Sequence, residues 1–90
     1  MIDSQMLSEQ RLREVLAAIP GVETVLIHED ERRWVARVLA SRFETMDEAE
    51  RQAEIYNVLL RELSSDELRR VAFVFTDTPA EYAAPLDVAD

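Results

Sequence analysis

The single histidine is the first place in this sequence to look for chemistry. His28 is followed by Glu29 and Asp30, and all three side chains are of types that bind metal ions or transfer protons. Zinc sites usually combine several His or Cys ligands. The chain has one His and no Cys, so carboxylates alone would have to complete such a site. We therefore predict that His28 is a solvated or hydrogen-bonded residue at a strand end.

Carboxylates are abundant, but their arrangement does not indicate catalysis. A general acid and a general base need opposed environments that separate their pKa values. Here the acidic residues form a loop run at Glu29–Glu31 or lie on the outer face of a helix: Asp47, Glu48, Glu50 and Glu54. A single glycine excludes a glycine-rich phosphate loop. The hydroxyls of Ser64, Ser65 and Thr76 have no identifiable base. The sequence predicts that the chain is not an enzyme.

Composition indicates one small acidic domain. The 90 residues carry 10 basic and 19 acidic side chains, a formal charge of −9, which disfavours nucleic acids and anionic membranes. The absence of cysteine fits a cytoplasmic protein, and no apolar run is long enough to span a bilayer. We expect a single domain over residues 1–90, with an ordered core at about 8–83 and flexible tails at 1–6 and 84–90.

The first half of the chain predicts a helix followed by a β-hairpin. Ser8 is a helix N-cap, and Pro20-Gly21 ends the helix. Between them an apolar stripe recurs at helical spacing: Leu12, Val15, Leu16 and Ile19. Residues 22–28 and 34–41 have strand patterns, and the five polar residues 29–33 between them predict a hairpin loop.

The second helix has the most regular pattern. Thr45 and Glu48 have the spacing of a capping box, and Asp47 and Arg51 that of an i,i+4 ion pair. The predicted buried stripe runs over four turns: Met46, Ala49, Ala53, Tyr56, Leu60 and Leu63. A further capping box, Ser64 to Glu67, predicts a short helical turn.

The last strand, residues 71–76, is apolar on both faces, so we expect it to be covered at least in part on both sides. A third capping box, Thr78-Pro79-x-Glu81, predicts a short helix that carries Tyr82. The connection between the second and third strands is about 29 residues long and contains a helix, which suffices for a parallel crossover. The order predicts an α+β fold, a three-stranded mixed sheet with helices on one face.

Three stretches resemble the BolA-like family. The longest is FETMDEAERQAEIYNVLLREL, from Phe43 to Leu63, which is similar to that family's Arg-His-x-x-x-Tyr helix. The others are LREVLAAIPGV and LRRVAFVFTDTPAEY. Arg51, Tyr56 and the Thr78-Pro79-x-Glu81 ending match in type and spacing, and the resemblance covers roughly residues 8–83. It implies a KH-like, two-layer αββαβ fold, in agreement with the element order.

The resemblance also implies a function. Proteins of this family partner monothiol glutaredoxins, with which they share or move a [2Fe–2S] cluster, and some are described as stress-related transcriptional regulators. The two family histidines correspond to Gln52 and Arg70, and the first hairpin loop, which carries a further ligand, is shortened to residues 29–33. An amide is a poor iron ligand and a guanidinium cannot be one. We therefore expect no cofactor, and a protein partner of glutaredoxin type held without a cluster.

Six residues make up the candidate partner surface: His28, Trp34, Arg51, Gln52, Tyr56 and Arg70. Trp34 is either an interface anchor or a cover for one end of the core, and Arg70 either pairs with the acidic surface or binds an acidic partner. Two other functions remain open. One is KH-like nucleic-acid binding in a transcription regulator, which the charge and the lack of a GXXG loop disfavour. The other is a homodimer that pairs through an edge strand.

Overall fold

The second strand organises the sheet, because both other strands pair with it. In the computed structural model, which describes residues 7–83, β1 (Thr24–Asp30) runs antiparallel to β2 (Arg33–Leu39). β3 (Val71–Asp77) runs parallel to β2, so the order β1-β2-β3 leaves β1 and β3 at the edges. The predicted α+β fold with a three-stranded mixed sheet is confirmed. The predicted tails, 1–6 and 84–90, lie outside the described residues.

Two longer helices, α1 (Glu9–Ala17) and α2 (Glu48–Glu62), pack on one face of the sheet. Between helices and sheet lies one core, whose largest fully buried side chains are Leu7, Leu12, Leu16, Val38, Phe43 and Ile55. A 3-10 helix (Ser41–Thr45) joins β2 to α2; the single turn α3 (Ser65–Leu68) precedes β3, and α4 (Pro79–Ala83) follows it. None of the described helices is long and apolar enough to cross a membrane.

The first helix forms where the sequence predicts it. The Ser8 hydroxyl accepts a hydrogen bond from the backbone N–H of Arg11 at 3.0 Å, which caps the helix. Beyond the helix, Gly21 has a φ of 83°, and a Cβ at this position would lie 2.8 Å from the Arg42 side chain. Glycine is therefore favoured by the backbone conformation, and a side chain here would also displace the end of the Arg42 side chain. The predicted apolar stripe is buried or half-buried: Leu12, Val15, Leu16 and Ile19.

The N-terminus of α2 lies two residues later than predicted. Asp47, not Thr45, is the N-cap, and its side chain accepts a hydrogen bond from the Glu50 N–H while Glu50 reaches back to the Asp47 N–H. Thr45 belongs to the 3-10 helix instead. The predicted capping box was wrong because two overlapping sequences, Thr45 to Glu48 and Asp47 to Glu50, both have the required spacing, and the chain uses the second.

The predicted stripe of α2 was wrong for most of its members: Leu63 is buried and Met46 is half-buried, but the other four are exposed. The core-facing residues are Ile55, Leu59 and Leu63, whereas Tyr56 and Leu60 are 55% and 53% exposed. The residues that share their exposed face, Ala49 and Ala53, are also exposed. The helix has two apolar faces, and the one with the bulkier branched side chains is buried. This face begins at Arg51, a charged residue, which hid it in the sequence pattern.

The hairpin between β1 and β2 is tighter than predicted. Its loop contains two residues, Glu31 and Arg32, and not the five of 29–33, because Asp30 and Arg33 already pair across the strands. Glu31 and Arg32 have φ values of 52° and 70°. Positive φ at both central positions is typical of the type I′ turns that favour Asn-Gly. The β1–β2 pairing thus extends into the exposed charged residues Glu29, Asp30 and Arg33, because backbone hydrogen bonds between strands tolerate charged side chains that point into solvent.

β3 is an edge strand with one open face. Val74 and Thr76 are buried against the helices, while Phe73 and Phe75 are 46% and 41% exposed on the opposite face. The expected partial cover on both sides is therefore present but uneven, since the residues of the open face keep almost half of their surface exposed. The Phe73 and Phe75 rings contact each other edge to face, with centroids 4.8 Å apart, and this contact shields part of their surface.

Candidate functional site

A groove of about 220 Å³ lies between α2 and β3. We call it the α2–β3 groove. Most of its lining is apolar, and Gln52 is the exception: Gln52, Ile55, Tyr56, Leu59, Leu68, Val71, Ala72, Phe73 and Val74. α2 packs Ile55 and Leu59 into the core, and Tyr56 therefore lies at the boundary between α2 and β3.

Gln52 closes one end of the α2–β3 groove. Its side-chain Nε2 donates to the Val74 carbonyl at 2.9 Å and to a Glu48 carboxylate oxygen at 3.2 Å. Val74 lies on an edge strand, whose outer backbone groups have no neighbouring strand to pair with. Gln52 therefore satisfies an acceptor of the sheet edge, and its amide is already engaged within the chain.

Arg51, next to Gln52, is a structural residue. It is only 7% exposed, and its guanidinium donates to the Phe43 carbonyl at 2.7 and 3.1 Å, to that of Met46 at 3.1 Å and to that of Thr76 at 3.2 Å. It also forms a two-pronged ion pair with Glu81, at 3.0 and 3.1 Å. The predicted Asp47–Arg51 pair was thus wrong, because the arginine points inward.

Glu81 links this network to the C-terminal end of the described chain. As predicted, Thr78 and Glu81 form a capping box: Glu81 accepts from the Thr78 N–H at 2.9 Å, and its own N–H donates to the Thr78 hydroxyl at 3.0 Å. The hydrogen bonds from Arg51, and then that from Thr78, lower the pKa of the Glu81 carboxyl. The two best-matched parts of the resemblance, Arg51 and the Thr-Pro-x-Glu ending, are therefore one structural unit.

A capping box whose glutamate is bound by an arginine also occurs at α3. Ser64 and Glu67 form the predicted capping box, and Arg11 of α1 donates to the Glu67 carboxylate at 2.6 and 3.2 Å. The hydrogen bond from Arg11 is the main cause of the lowered pKa of Glu67. Glu67 and Glu81 are thus each held by an arginine from an earlier helix.

The remaining candidates do not gather at the α2–β3 groove. Trp34 is half-buried against the core, and its indole N–H donates to the Leu7 carbonyl at 2.8 Å, so it covers one end of the core. His28 lies on the opposite, open face of the sheet. Arg70 immediately precedes β3, beside the groove residue Val71, and its Nε is buried with no hydrogen-bond partner in the part of the chain described.

The residues at the expected ligand positions do not fit a [2Fe–2S] cluster. The Gln52 amide already donates to Val74, and the Arg70 guanidinium has no lone pair to offer a metal. The tip of the β1–β2 hairpin, where the resemblance implies a further ligand, consists of Glu31 and Arg32. Within residues 7–83 no group of three or more His, Cys, Asp and Glu side chains is placed to hold a metal ion. This donor set gives no basis for a cluster bound in the family's manner.

Sequence reasoning missed two features. The first is that Phe73, Leu68 and Val71 line the groove. They can do so because β3 is an edge strand, whereas apolar residues on both of its faces had predicted a covered strand. Arg37 also went unnoticed: it forms an ion pair with Asp77 on the open sheet face, and its guanidinium lies over the Phe75 ring. An arginine in the middle of an apolar strand was the only sequence signal for it.

Comparisons with known protein families and with curated proteins find no match for this sequence. Solved structures do match. A BolA protein homologue from Coxiella burnetii has a TM-score of 0.67 and 22% identity, over 88% of this chain and 100% of that one. The BolA domain of SufE1 from Arabidopsis thaliana gives 0.63 and 24%, over 83% and 98%.

A third structure, BolA1 from Arabidopsis thaliana, has a TM-score of 0.60 and 21% identity, over 84% of this chain and 94% of that one. Identities this low establish likeness of fold and not of activity. All three structures nevertheless match nearly their whole length, so the agreement covers the complete arrangement of helices and strands. The resemblance seen in the sequence is confirmed at this level: the chain has a BolA-like fold.

Proposed function

We propose that the chain is a non-enzymatic interaction module, and that it binds a protein of the monothiol glutaredoxin type at the α2–β3 groove without a metal bridge. The observation that carries the proposal is the exposure of large apolar side chains around one groove. Tyr56 of α2 and Phe73 of β3 line the groove and are 55% and 46% exposed, and Leu60, 53% exposed, lies one helical turn beyond Tyr56. Aromatic side chains at the rim of a preformed groove are typical anchors of protein interfaces.

A protein partner suits the groove better than a nucleic acid. Phosphate backbones are bound chiefly by Lys and Arg, and no cationic side chain lines the groove. The chain has a formal charge of −9, which repels a polyanion at the ionic strength of a cell. An apolar groove with one engaged amide favours the apolar side chains of another protein.

The ionisable groups support a binding role and not a catalytic one. Three carboxyls have lowered pKa values: Glu23 by hydrogen bonds from Ser41, Glu67 by Arg11 and Glu81 by Arg51. Each of these causes is a structural contact, and none of the three carboxyls lines the α2–β3 groove. Perturbed groups of this kind stabilise caps and helix contacts, and they are not poised as an acid and a base.

The proposal is tested by titrating the purified chain with a monothiol glutaredoxin in a calorimeter, with and without added iron and sulfide. We expect a complex whose affinity does not depend on iron, and no visible absorption band from a cluster shared by the two proteins. A visible band would refute the metal-free part of the proposal. Substrate turnover by the chain together with no complex would refute all of it.

Two variants test whether the partner binds at the α2–β3 groove. Tyr56→Ser removes an exposed groove side chain and should weaken the complex about tenfold or more, as is usual for an aromatic anchor. Asn57→Ser is the matched control, since Asn57 is exposed on the same helix and does not line the groove. Equal affinities for both variants would show that the partner binds elsewhere on the molecule.

A further inference from the structure

A second, smaller pocket lies on the sheet face that α1 and α2 leave uncovered. Its volume is about 150 Å³, and strands β1 to β3 and α4 all contribute to it. Leu26, Val35 and Phe75 supply an apolar lining, and the polar members are His28, Arg37 and Tyr82. An apolar pocket with a few polar groups is the usual form of a small-molecule site, and a pocket of this volume, below the usual range, admits only a small ligand.

Arg37 is held in place before any ligand arrives. Its guanidinium carbon lies 4.7 Å from the centre of the Phe75 ring and 5.4 Å from that of Tyr82, so two aromatic faces fix its plane. One terminal nitrogen, NH1, donates to Asp77. A guanidinium has five N–H donors, and those on the other nitrogens of Arg37 have no hydrogen-bond partner within residues 7–83. One edge of the guanidinium therefore remains available.

His28 adds a second donor on the same face. Across the β1–β2 ladder His28 is opposite Val35 and Leu26 is opposite Arg37, which makes His28 and Arg37 diagonal neighbours. The imidazole has no hydrogen-bond partner among the described residues, and none of the Asp and Glu residues between positions 7 and 83 lines the pocket. Two nitrogen donors thus border an apolar depression, and one of them, Arg37, is also paired with the Asp77 carboxylate.

We propose that this pocket binds a small monocarboxylic acid with an apolar body. The carboxylate accepts hydrogen bonds from Arg37 and His28, and the body packs on Leu26 and Val35 against the Phe75 ring. The apolar contacts are needed because the net charge of −9 works against an anion held by charge alone. The pocket faces away from α1 and α2, so the inference does not depend on the partner proposed for the α2–β3 groove.

The probe for a test is benzoate, followed by two-dimensional NMR of the nitrogen-15-labelled chain. We expect saturable shifts of the backbone amides of Leu26, Val35, Arg37 and Phe75. Benzamide, which has the same shape and no charge, should produce no saturable shifts. Arg37→Gln should weaken benzoate binding about tenfold or more, since a charge-assisted hydrogen bond is lost. Arg61→Gln, the same change at an exposed arginine of α2, should leave the affinity unchanged.

Arg37 also pairs with Asp77, so the Arg37→Gln variant has to be shown folded by circular dichroism. His28→Leu provides an independent readout, because His28 is exposed and its replacement leaves the sheet intact; it should weaken benzoate binding about threefold or more. Equal binding of benzamide and benzoate would overturn the proposal. So would shifts confined to residues outside the pocket, or unchanged affinity in a folded Arg37→Gln or His28→Leu variant.

Discussion

Arg51 and Glu81, thirty positions apart in the sequence, form a two-pronged ion pair that joins α2 to the cap of α4. The same guanidinium donates to the carbonyls of Phe43 and Thr76, so one side chain connects four segments of the fold. The pair couples the two parts of the sequence that best match the BolA-like pattern. Their co-occurrence is thus explained by architecture, and it carries no information about a ligand.

Arg51→Lys should destabilise the chain by about 3 kcal/mol. A single ammonium cannot reach both buried carbonyls and the Glu81 carboxylate, and buried acceptors left without donors cost about 1–3 kcal/mol each. Urea unfolding followed by circular dichroism measures the change. Arg69→Lys is the control, because Arg69 is exposed and pairs only with Asp66. A loss below about 0.5 kcal/mol in Arg51→Lys would show that the network contributes little.

Stability should fall as the solution is made acidic, because three glutamates among residues 7–83 have lowered pKa values in the folded chain: Glu23, Glu67 and Glu81. The ordinary value is 4.5 for Glu67 and Glu81, and the hydrogen bonds from Arg11 and Arg51 lower it in the native state. A group whose folded pKa is depressed contributes stability above its unfolded pKa and loses that contribution as the pH falls through the folded pKa. The free energy of unfolding should therefore decline from about pH 4.5 downward.

Glu67→Gln tests that assignment. The variant should be less stable than the parent at neutral pH, and its stability should depend less steeply on pH below 4.5, since one of the three groups with a lowered pKa no longer titrates. The measurement is urea unfolding between pH 3 and pH 7. Glu62→Gln is the control: Glu62 pairs with the adjacent, exposed Arg61, and its replacement should leave the acid slope as it is. An unchanged slope in Glu67→Gln would mean that other groups cause the acid sensitivity.

The β1–β2 turn offers a stabilising change. Glu31 and Arg32 both have positive φ, a conformation that costs a side chain with a Cβ about 1 kcal/mol and suits Asn-Gly. Glu31→Asn with Arg32→Gly should raise stability by about 1 kcal/mol, which is a rise in melting temperature of about 4–8 °C for a domain of this size. Glu31→Ala with Arg32→Ala removes the same charges without relieving the backbone and should give no gain. A gain in stability of the double-alanine variant would show that the effect comes from removing the two charges and not from relieving the backbone.

Local rules predicted the elements well, and the failures came where distant contacts decide. The caps at Ser8, Ser64 and Thr78 depend on three or four neighbouring residues, and all three form. The buried face of α2 could not be found in this way, because it starts with Arg51, whose burial is possible only after Glu81 and two carbonyls arrive from other segments. The exposure of Phe73 depended likewise on which strand became the edge.

The candidate site was predicted only in part for the same reason. Gln52 and Tyr56 line one groove because they lie one turn apart on the same helix, which the sequence shows. His28 was grouped with them by analogy with a longer hairpin loop. In the folded chain the shortened hairpin places it on the opposite face of the sheet. Which face a strand residue occupies depends on the register, and the register was set by a two-residue turn that the polar run 29–33 did not reveal.

Gln52 provides the last prediction, because its position has a structural use in place of a ligand. Its amide donates to Val74 on the sheet edge and lies 3.2 Å from Glu48. Gln52→Met keeps the shape and loses the hydrogen bond, which should cost about 1 kcal/mol. Gln52→Glu should cost more, about 2 kcal/mol, since it sets a carboxylate against a carbonyl and a second carboxylate. Urea unfolding measures both, and the excess for Gln52→Glu over Gln52→Met should vanish at pH 3, where the new carboxyl is protonated. If both variants fall within about 0.5 kcal/mol of the parent, Gln52 is an ordinary surface residue and the edge of β3 is stabilised by other contacts.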